Sequence, residues 1–167
     1  MSRAPTLETE RLILRPMTMA DWPAYKALWE TERSVHMGGP AGPDESWGYF
    51  CSDAAMWDLF GHGALMIDDR TTGECYGQVA INHGPWFPEK ELGWMVYPEA
   101  EGKGLAYEAA KALLDWGYQV AKLDTLVSYI DPENARSIAL AKKLGAALDN
   151  TAPRQDPEDL VFRHPKP

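Results

Sequence analysis

The 167 residues, 45% of them hydrophobic and 25% charged, have the length and composition of one soluble globular domain, expected to run from residue 1 to 167. A net charge of −9 argues against a nucleic-acid surface, which needs a basic face, and means that any anionic ligand must be held by local donors. No apolar run reaches the length of a membrane span, the N-terminus lacks the apolar core of a signal peptide, and Cys51 and Cys75 lie outside any metal-ligand spacing. The expectation is a cytoplasmic protein with reduced thiols and no membrane partner.

Leu7 to Met17 reads as an edge strand ended by Pro16. Thr18 to Asp21 supply caps for a helix through about Glu30, with Trp22, Tyr25, Leu28 and Trp29 on one side. Thr31 to Pro43 is rich in glycine and proline and reads as a loop. A second helix follows over Asp44 to Phe60; Trp47, Tyr49, Phe50, Trp57 and Phe60 make it strongly aromatic, a composition that usually belongs to a core. Ala64 to Asp68 and Glu74 to Asn82 read as strands joined by a hairpin turn at Asp69 to Gly73. His83 to Lys90 carries Pro85 and Pro88 beside Trp86 and Phe87, and is expected to be a stiff loop that borders a site or packs its aromatic residues on the sheet.

The chain is organised around Glu91 to Glu108. Leu92 to Tyr97 is a short apolar strand, and Gly102-Lys103-Gly104 is a corner that opens a helix from Leu105 to about Lys122. Glycines let a ligand lie against bare backbone, and the first N–H groups of a helix are unpaired at the positive end of its dipole. The corner therefore suits a phosphate or pyrophosphate. It is not a Walker A loop, because Gly104 stands where a hydroxyl would follow Gly-Lys, and as a dinucleotide fingerprint it has Tyr107 where a third glycine belongs. The helix carries Leu105, Ala109, Leu113, Trp116 and Val120 on one face. Leu126 to Ile130 is the next strand, and Asp131-Pro132 is a cap and first position for a helix that runs to Leu144 and stops at Gly145. Asn134 and Ser137, three apart, share a face of its first turns. Asp149 to Pro157 is irregular, and Leu160 to Arg163 is a last strand.

The order strand, glycine corner, helix, strand, then N-x-x-S on a helix ending Lys143-Leu144-Gly145, with the opening T-E-R-L-I-L-R-P and D-W-x-x-Y, resembles the GNAT superfamily of N-acetyltransferases, in its RimJ/RimL-type branch. The resemblance covers nearly the whole chain. It implies an α/β fold with a mixed, mostly antiparallel central sheet, flanked by helices and splayed at an acetyl-CoA site. Gly102-x-Gly104 falls on the G-x-G/A of the family's Q/R-x-x-G-x-G/A pattern, with Glu99 where Gln or Arg is usual. The cofactor cradle implied is Glu101, Gly102, Lys103, Gly104, Leu105 and Ala106, with the backbone of Met95 and Val96 pairing the pantetheine arm and offering an N–H to the oxyanion. Asn134 would bond the pantetheine, Ser137 would sit near the sulfur as an acid, and Lys103, Arg136 and Lys143 would meet phosphates. Capping and solvated surface positions are the competing readings of these side chains. Many relatives carry a tyrosine as the thiolate acid, and the matching position here is Ala141. The loop and aromatic helix after Thr31 would form the substrate lip.

Acetyl transfer to an amine needs a base, and Glu91 matches a position where several of these enzymes place one. His83 is a second candidate, because a histidine titrates near neutrality. His36, His62 and His164 show no metal-ligand spacing, and no metal is expected. The implied acceptor is a primary amine, an α-amine at a protein terminus being favoured because its pKa of about 8 leaves more neutral nucleophile than a lysine at about 10.4. A small amine acceptor and a non-catalytic acyl-CoA-binding module are the alternatives, and monomer and homodimer are both open.

Overall fold

A computed structural model describes residues 3–167, so Met1 and Ser2 of the expected domain lie outside the described residues. One sheet contains β1 (Leu7–Glu8), β2 (Leu12–Arg15), β3 (Ala64–Asp69), β4 (Cys75–Gly84), β5 (Phe87–Val96), β6 (Leu126–Ile130), β7 (Ala147–Leu148) and β8 (Leu160–His164). Their order is β1-β2-β3-β4-β5-β6-β8-β7. The helices are α1 (Trp22–Trp29), α2 (Pro43–Phe60), α3 (Leu105–Gln119) and α4 (Ala135–Lys143). Every strand pair is antiparallel except β5 with β6, which are parallel and meet at the single pair Glu91 and Val127. This is the expected mixed α/β architecture, and the sheet parts between β5 and β6.

Strand alternation sends Val79, Ile81 and Leu92 to one face, where α3 lays Ala109, Ala110 and Leu113 over them. All six are fully buried, and the alanines let the helix approach closely. Burying a leucine such as Leu113 contributes roughly 2 to 3 kcal/mol. α1 and α2 bring Tyr25, Trp29 and Phe50 into a second cluster, with Tyr25 and Phe50 edge-on at 5.1 Å between ring centroids. The core expectation for the aromatic helix holds for Phe50 and Trp57, whereas Trp47 and Phe60 are each 42% exposed.

Several boundaries differ from the sequence expectation. The first strand is two, because Glu108 of α3 pins a turn between them, accepting from the Thr9 hydroxyl (2.5 Å) and from the Arg11 backbone N–H (2.9 Å). The loop after α1 contains a 3-10 turn over Glu32–Met37. His83 to Lys90 is not a loop: β4 runs on to Gly84 and β5 starts at Phe87, leaving only Pro85-Trp86 as the turn. Pro88 is tolerated near the strand end, beside the register shift between Asn82 and Gly84. α3 stops at Gln119, so Val120 is 65% exposed rather than on the apolar face. α4 begins at Ala135 with Asn134 as its N-cap, because Asp131 is engaged by His36 and by the Glu133 backbone N–H (both 2.8 Å). β7 was not expected.

Ser128 of β6 donates to the Leu92 carbonyl at 2.5 Å, so its oxygen must accept from Nε2–H of His164 at 2.8 Å. This fixes the tautomer of His164, whose buried Nδ1 has no partner. Burial pushes the His164 pKa down to about 4. An unfolded histidine takes up its proton near pH 6.5, so the unfolded chain is protonated first as pH falls and stability is lost between about 6.5 and 4. In urea unfolding, the stability advantage of the parent over His164→Gln should shrink by about 2 kcal/mol between pH 7 and pH 5. A gap that does not change with pH would mean that His164 is not held neutral.

Candidate active site

On the face away from α3, Gln78, Ala80 and Asn82 of β4 pair with Met95, Gly93 and Glu91 of β5. These residues floor a cavity of about 790 Å³, walled by Trp29, Tyr49 and Asp53 of α1 and α2, by Trp86 at the hairpin, and by Asp156 to Asp159. Beyond Glu91 and Val127 no backbone pair joins β5 to β6. Ser137, in the first turn of α4, faces this gap and accepts a hydrogen bond from Trp94 Nε1 at 3.1 Å. Asn134 lines the cavity beside it, with Oδ1 taken by the Ser137 backbone N–H at 3.2 Å.

The parity of β5 decides which backbone groups face the gap. The Leu92 carbonyl meets Ser128 and the Val96 carbonyl meets Arg33 Nη2 at 3.0 Å, both on the β6 side. The Met95 carbonyl points the other way, only 2.2 Å from where a Cβ on Gly77 of β4 would lie. Alternation therefore puts Trp94 and Val96 on the open edge. The expectation for Val96 fits this geometry, whereas Met95 spends its backbone on β4 and contributes only its side chain to the cavity.

At the far end of the gap lies the glycine corner. Gly102 and Gly104 take φ of 73° and 74°, and Gly104 is the N-cap of α3 with no side chain to cap it. A Cβ on Gly102 would find nothing within 4 Å, and one on Gly104 only Arg11 Nη2 at 3.6 Å. The amides from Gly102 to Ala106 thus border open space at a helix N-terminus, which fits a pyrophosphate. Leu105 itself is buried in the core and anchors the turn. Arg11 Nη1 holds the Lys103 carbonyl at 2.9 Å and its Nε holds Glu108 at 2.8 Å, a support that sequence reasoning missed. Glu101 bridges Arg33 of the lip and Arg136 of α4, and the two guanidiniums, Arg136 foremost, hold its pKa down to about 2. Lys103 lies over the Tyr76 ring and Lys143 over Tyr107, and Glu99 is exposed.

Glu91 is half-buried where the sheet parts. It accepts from Asn82 Nδ2 at 2.9 Å and from the Tyr129 backbone N–H at 3.4 Å. Burial pushes its pKa up to about 7, against the pull of those two donors. A Cβ on Gly93 would lie 2.9 Å from Glu91 Oε1 and 3.2 Å from Asn82 Nδ2, so the carboxylate occupies the space that glycine leaves. Asp53 of α2 is a second half-buried carboxylate on the cavity, accepting from the Tyr25 hydroxyl (2.8 Å) and from Gln78 Nε2 (2.9 Å), and burial raises it to about 6. Sequence reasoning missed it, although an acid amid the aromatic run of α2 was a signal.

One expectation is corrected here, and the position where relatives carry a tyrosine is explained. His83 lies on β4 outside the cavity, edge-on to Phe60 at 5.4 Å, so strand parity removes it from Glu91's company. Ala141 is fully buried against Ile130, Ala146 and Phe162, so this position has no room for a tyrosine and offers no acid. Among the described residues, no cluster of histidine, cysteine or carboxylate could hold a metal, and no helix is long and apolar enough to cross a membrane.

Residues 11–147 match the family model "Acetyltransferase (GNAT) domain". The chain belongs to the GNAT acetyltransferase family. Members of this family use acetyl-CoA, and the gap and glycine corner fit its pantetheine arm and pyrophosphate. An acetyltransferase of Agrobacterium tumefaciens str. C58 is 57% identical, with a TM-score of 0.95 over 96% of this chain and 94% of that one. The Bacillus subtilis protein YkkB is 32% identical over 99 residues, 55% of each chain. Spermidine N(1)-acetyltransferase of Escherichia coli K12 is 36% identical over 87 residues, 48% of this chain and 46% of that protein. The chain thus spans about half the length of the curated relatives it matches.

Gly102→Val places a branched side chain on the open amide surface and should weaken acetyl-CoA binding at least tenfold by calorimetry. The left-handed backbone would cost about 1 to 2 kcal/mol, visible as a small fall in thermal midpoint. Unchanged affinity would mean that the phosphates do not rest on this corner. Gly93→Ala should displace Glu91 and lower turnover about tenfold while leaving acetyl-CoA affinity unaltered; full turnover would show that the carboxylate has other room.

Proposed function

We propose that this chain is an acetyl-CoA-dependent N-acetyltransferase of a primary amine, acting as one domain in the cytoplasm, with Glu91 as its general base. The observation that carries the reading is a half-buried carboxylate with a pKa of about 7, placed on the cavity at the point where β5 leaves β6. A base needs a pKa near the working pH, and this one is tuned by burial.

The roles of the other residues follow from their places. The neutral amine nitrogen bonds to the thioester carbonyl carbon, the carbon–sulfur bond breaks, and the nitrogen's surplus proton goes to Glu91, directly or through one water. The Trp94 and Val96 N–H groups, on the open edge, are the donors for the developing oxyanion. Ser137 accepts from Trp94 Nε1, which leaves its own O–H to serve the departing sulfur, and the proton it delivers is replaced through solvent by the one that Glu91 took up. The amides of Gly102 to Ala106 take the pyrophosphate, and Arg136 and Lys103 stand near enough to the corner to add charge once Glu101 releases the former.

Element order and the N-x-x-S helix support a place in the RimJ/RimL-type branch, with its protein α-amine acceptors. The match to a spermidine acetyltransferase supports a small amine instead. A binding module without turnover is the competing reading, and the pH profile separates it from an enzyme. With a fixed amine, kcat/KM should rise through about pH 7 as Glu91 loses its proton, because only the carboxylate accepts one. Glu91→Gln should remove that inflection and lower kcat by about a hundredfold or more, with acetyl-CoA affinity retained. A variant with full activity and the same profile would remove Glu91 from the role.

A further inference from the structure

We infer that the acceptor is a flexible aliphatic diamine or triamine, one of whose ammonium groups is held at Asp53 and Gln78 while another amine reacts at Glu91. The inference rests on the acetyltransferase reading above and names its substrate class. The cavity is lined by six carboxylates (Asp53, Glu91, Asp131, Asp156, Glu158 and Asp159) and by no lysine or arginine. Its one histidine, His36, is itself paired with Asp131 at 2.8 Å. The whole chain has 25 acidic and 16 basic residues, so a lining without a single lysine or arginine is a local feature, and it repels a carboxylate-bearing acceptor.

An independent observation sits at the cavity floor. Gln78 is 6% exposed, and its Oε1 has no hydrogen-bond partner. Its Nε2 is committed to Asp53 Oδ2, and that same carboxylate oxygen also accepts from Tyr25, so the group left unsatisfied is an acceptor. An ammonium brings three donors and no acceptor, and it satisfies Gln78 Oε1 and the Asp53 carboxylate together. A hydroxyl or a methyl group in that place would leave the Asp53 charge uncompensated.

The spacing fits two amines on one chain. Gln78 and Asn82 stand four residues apart on the same face of β4, about 13 Å along the strand. Asp53 is bonded to the first and Glu91 to the second, with the small Ala80 and Gly93 between them. The Glu91 carboxylate leans over Gly93, 2.9 Å from where a Cβ on that glycine would lie, and Gly93 pairs with Ala80. The distance that counts is therefore that from Gln78 to Ala80, about 7 Å along the strand and the scale of a short aliphatic linker. Trp29, Tyr49, Trp86 and Tyr129 on the walls suit methylene groups and cations alike. A held ammonium also lowers the pKa of its neighbour by repulsion, which supplies the neutral nucleophile that a base of modest strength requires.

The test compares 1,4-diaminobutane and its aminopropyl-extended triamine with n-butylamine, 4-aminobutanoate and an unblocked alanyl peptide. CoA release is followed at saturating acetyl-CoA, and amine binding to the CoA complex is followed separately by calorimetry. The diamine or triamine should exceed n-butylamine in kcat/KM by about a hundredfold, and only these two should bind measurably. Asp53→Asn should raise their KM about tenfold with a smaller loss of kcat. Because Asp53 also holds Tyr25, the exposed pair Asp156→Asn and Glu158→Gln serves as a second variant that leaves the core intact, with a KM rise of severalfold expected. Equal use of n-butylamine, 4-aminobutanoate or the peptide would overturn the inference while leaving acetyl transfer standing. Failure of acetyl-CoA to bind at all would instead overturn the acetyltransferase reading, and titration of the free protein with the diamine and with n-butylamine would then decide whether the cavity prefers a second ammonium.

Discussion

One backbone pair, Glu91 with Val127, joins β5 to β6, and the candidate site exists because nothing on the backbone joins them further along. A sheet opened in this way would lose register without a second fastening. Ser128 supplies it by donating to the Leu92 carbonyl from within β6, and His164 on β8 in turn donates to Ser128. The chain of two hydrogen bonds is buried, so it exchanges no partners with water and holds the strand ends at a fixed opening. Glu91 sits at the fastening itself, where burial keeps its carboxyl pKa raised.

The electrostatics divide the site into two unlike halves. At the glycine corner an acidic protein makes a place for phosphates with uncapped backbone amides and a few cations, several of which are engaged by Glu101, Glu108 or an aromatic ring. On the other side of β5 the cavity keeps its carboxylates and lacks strong cations. An anionic donor and the amine acceptor proposed above would thus approach a single strand from regions of opposite preference. Arg33 links the halves, since it holds both Glu101 and the Val96 carbonyl on the edge that faces the gap.

Much of this was legible in the residues. The period of Leu105, Ala109 and Leu113 placed α3, and the positions of Gly102 and Gly104 placed its open N-terminus, because local chemistry decides both. What was not legible depended on partners distant in the chain. Glu108 breaks the first strand in two from nearly a hundred residues away, and His36 takes Asp131 from its expected cap. Strand parity also escaped, since a shift of one residue exchanges Met95 for Trp94 at the gap and sends His83 to the opposite face. Asp53 stands out as an acid amid the aromatic run of α2, but its partner appears only once α2 is seen to cross Gln78.

Gly93 carries a consequence for how this protein can vary. The Glu91 carboxylate lies within 2.9 Å of the place a side chain would begin. Every single-base change that alters a glycine codon and still encodes an amino acid adds a Cβ. No one-step missense change at this position therefore leaves the carboxylate where it is, and divergence among descendants of this chain has to pass through other residues of the cavity. The cavity wall can drift through Asp156, Glu158 and the hairpin at Trp86, while the strand beside the Glu91 carboxylate stays bare.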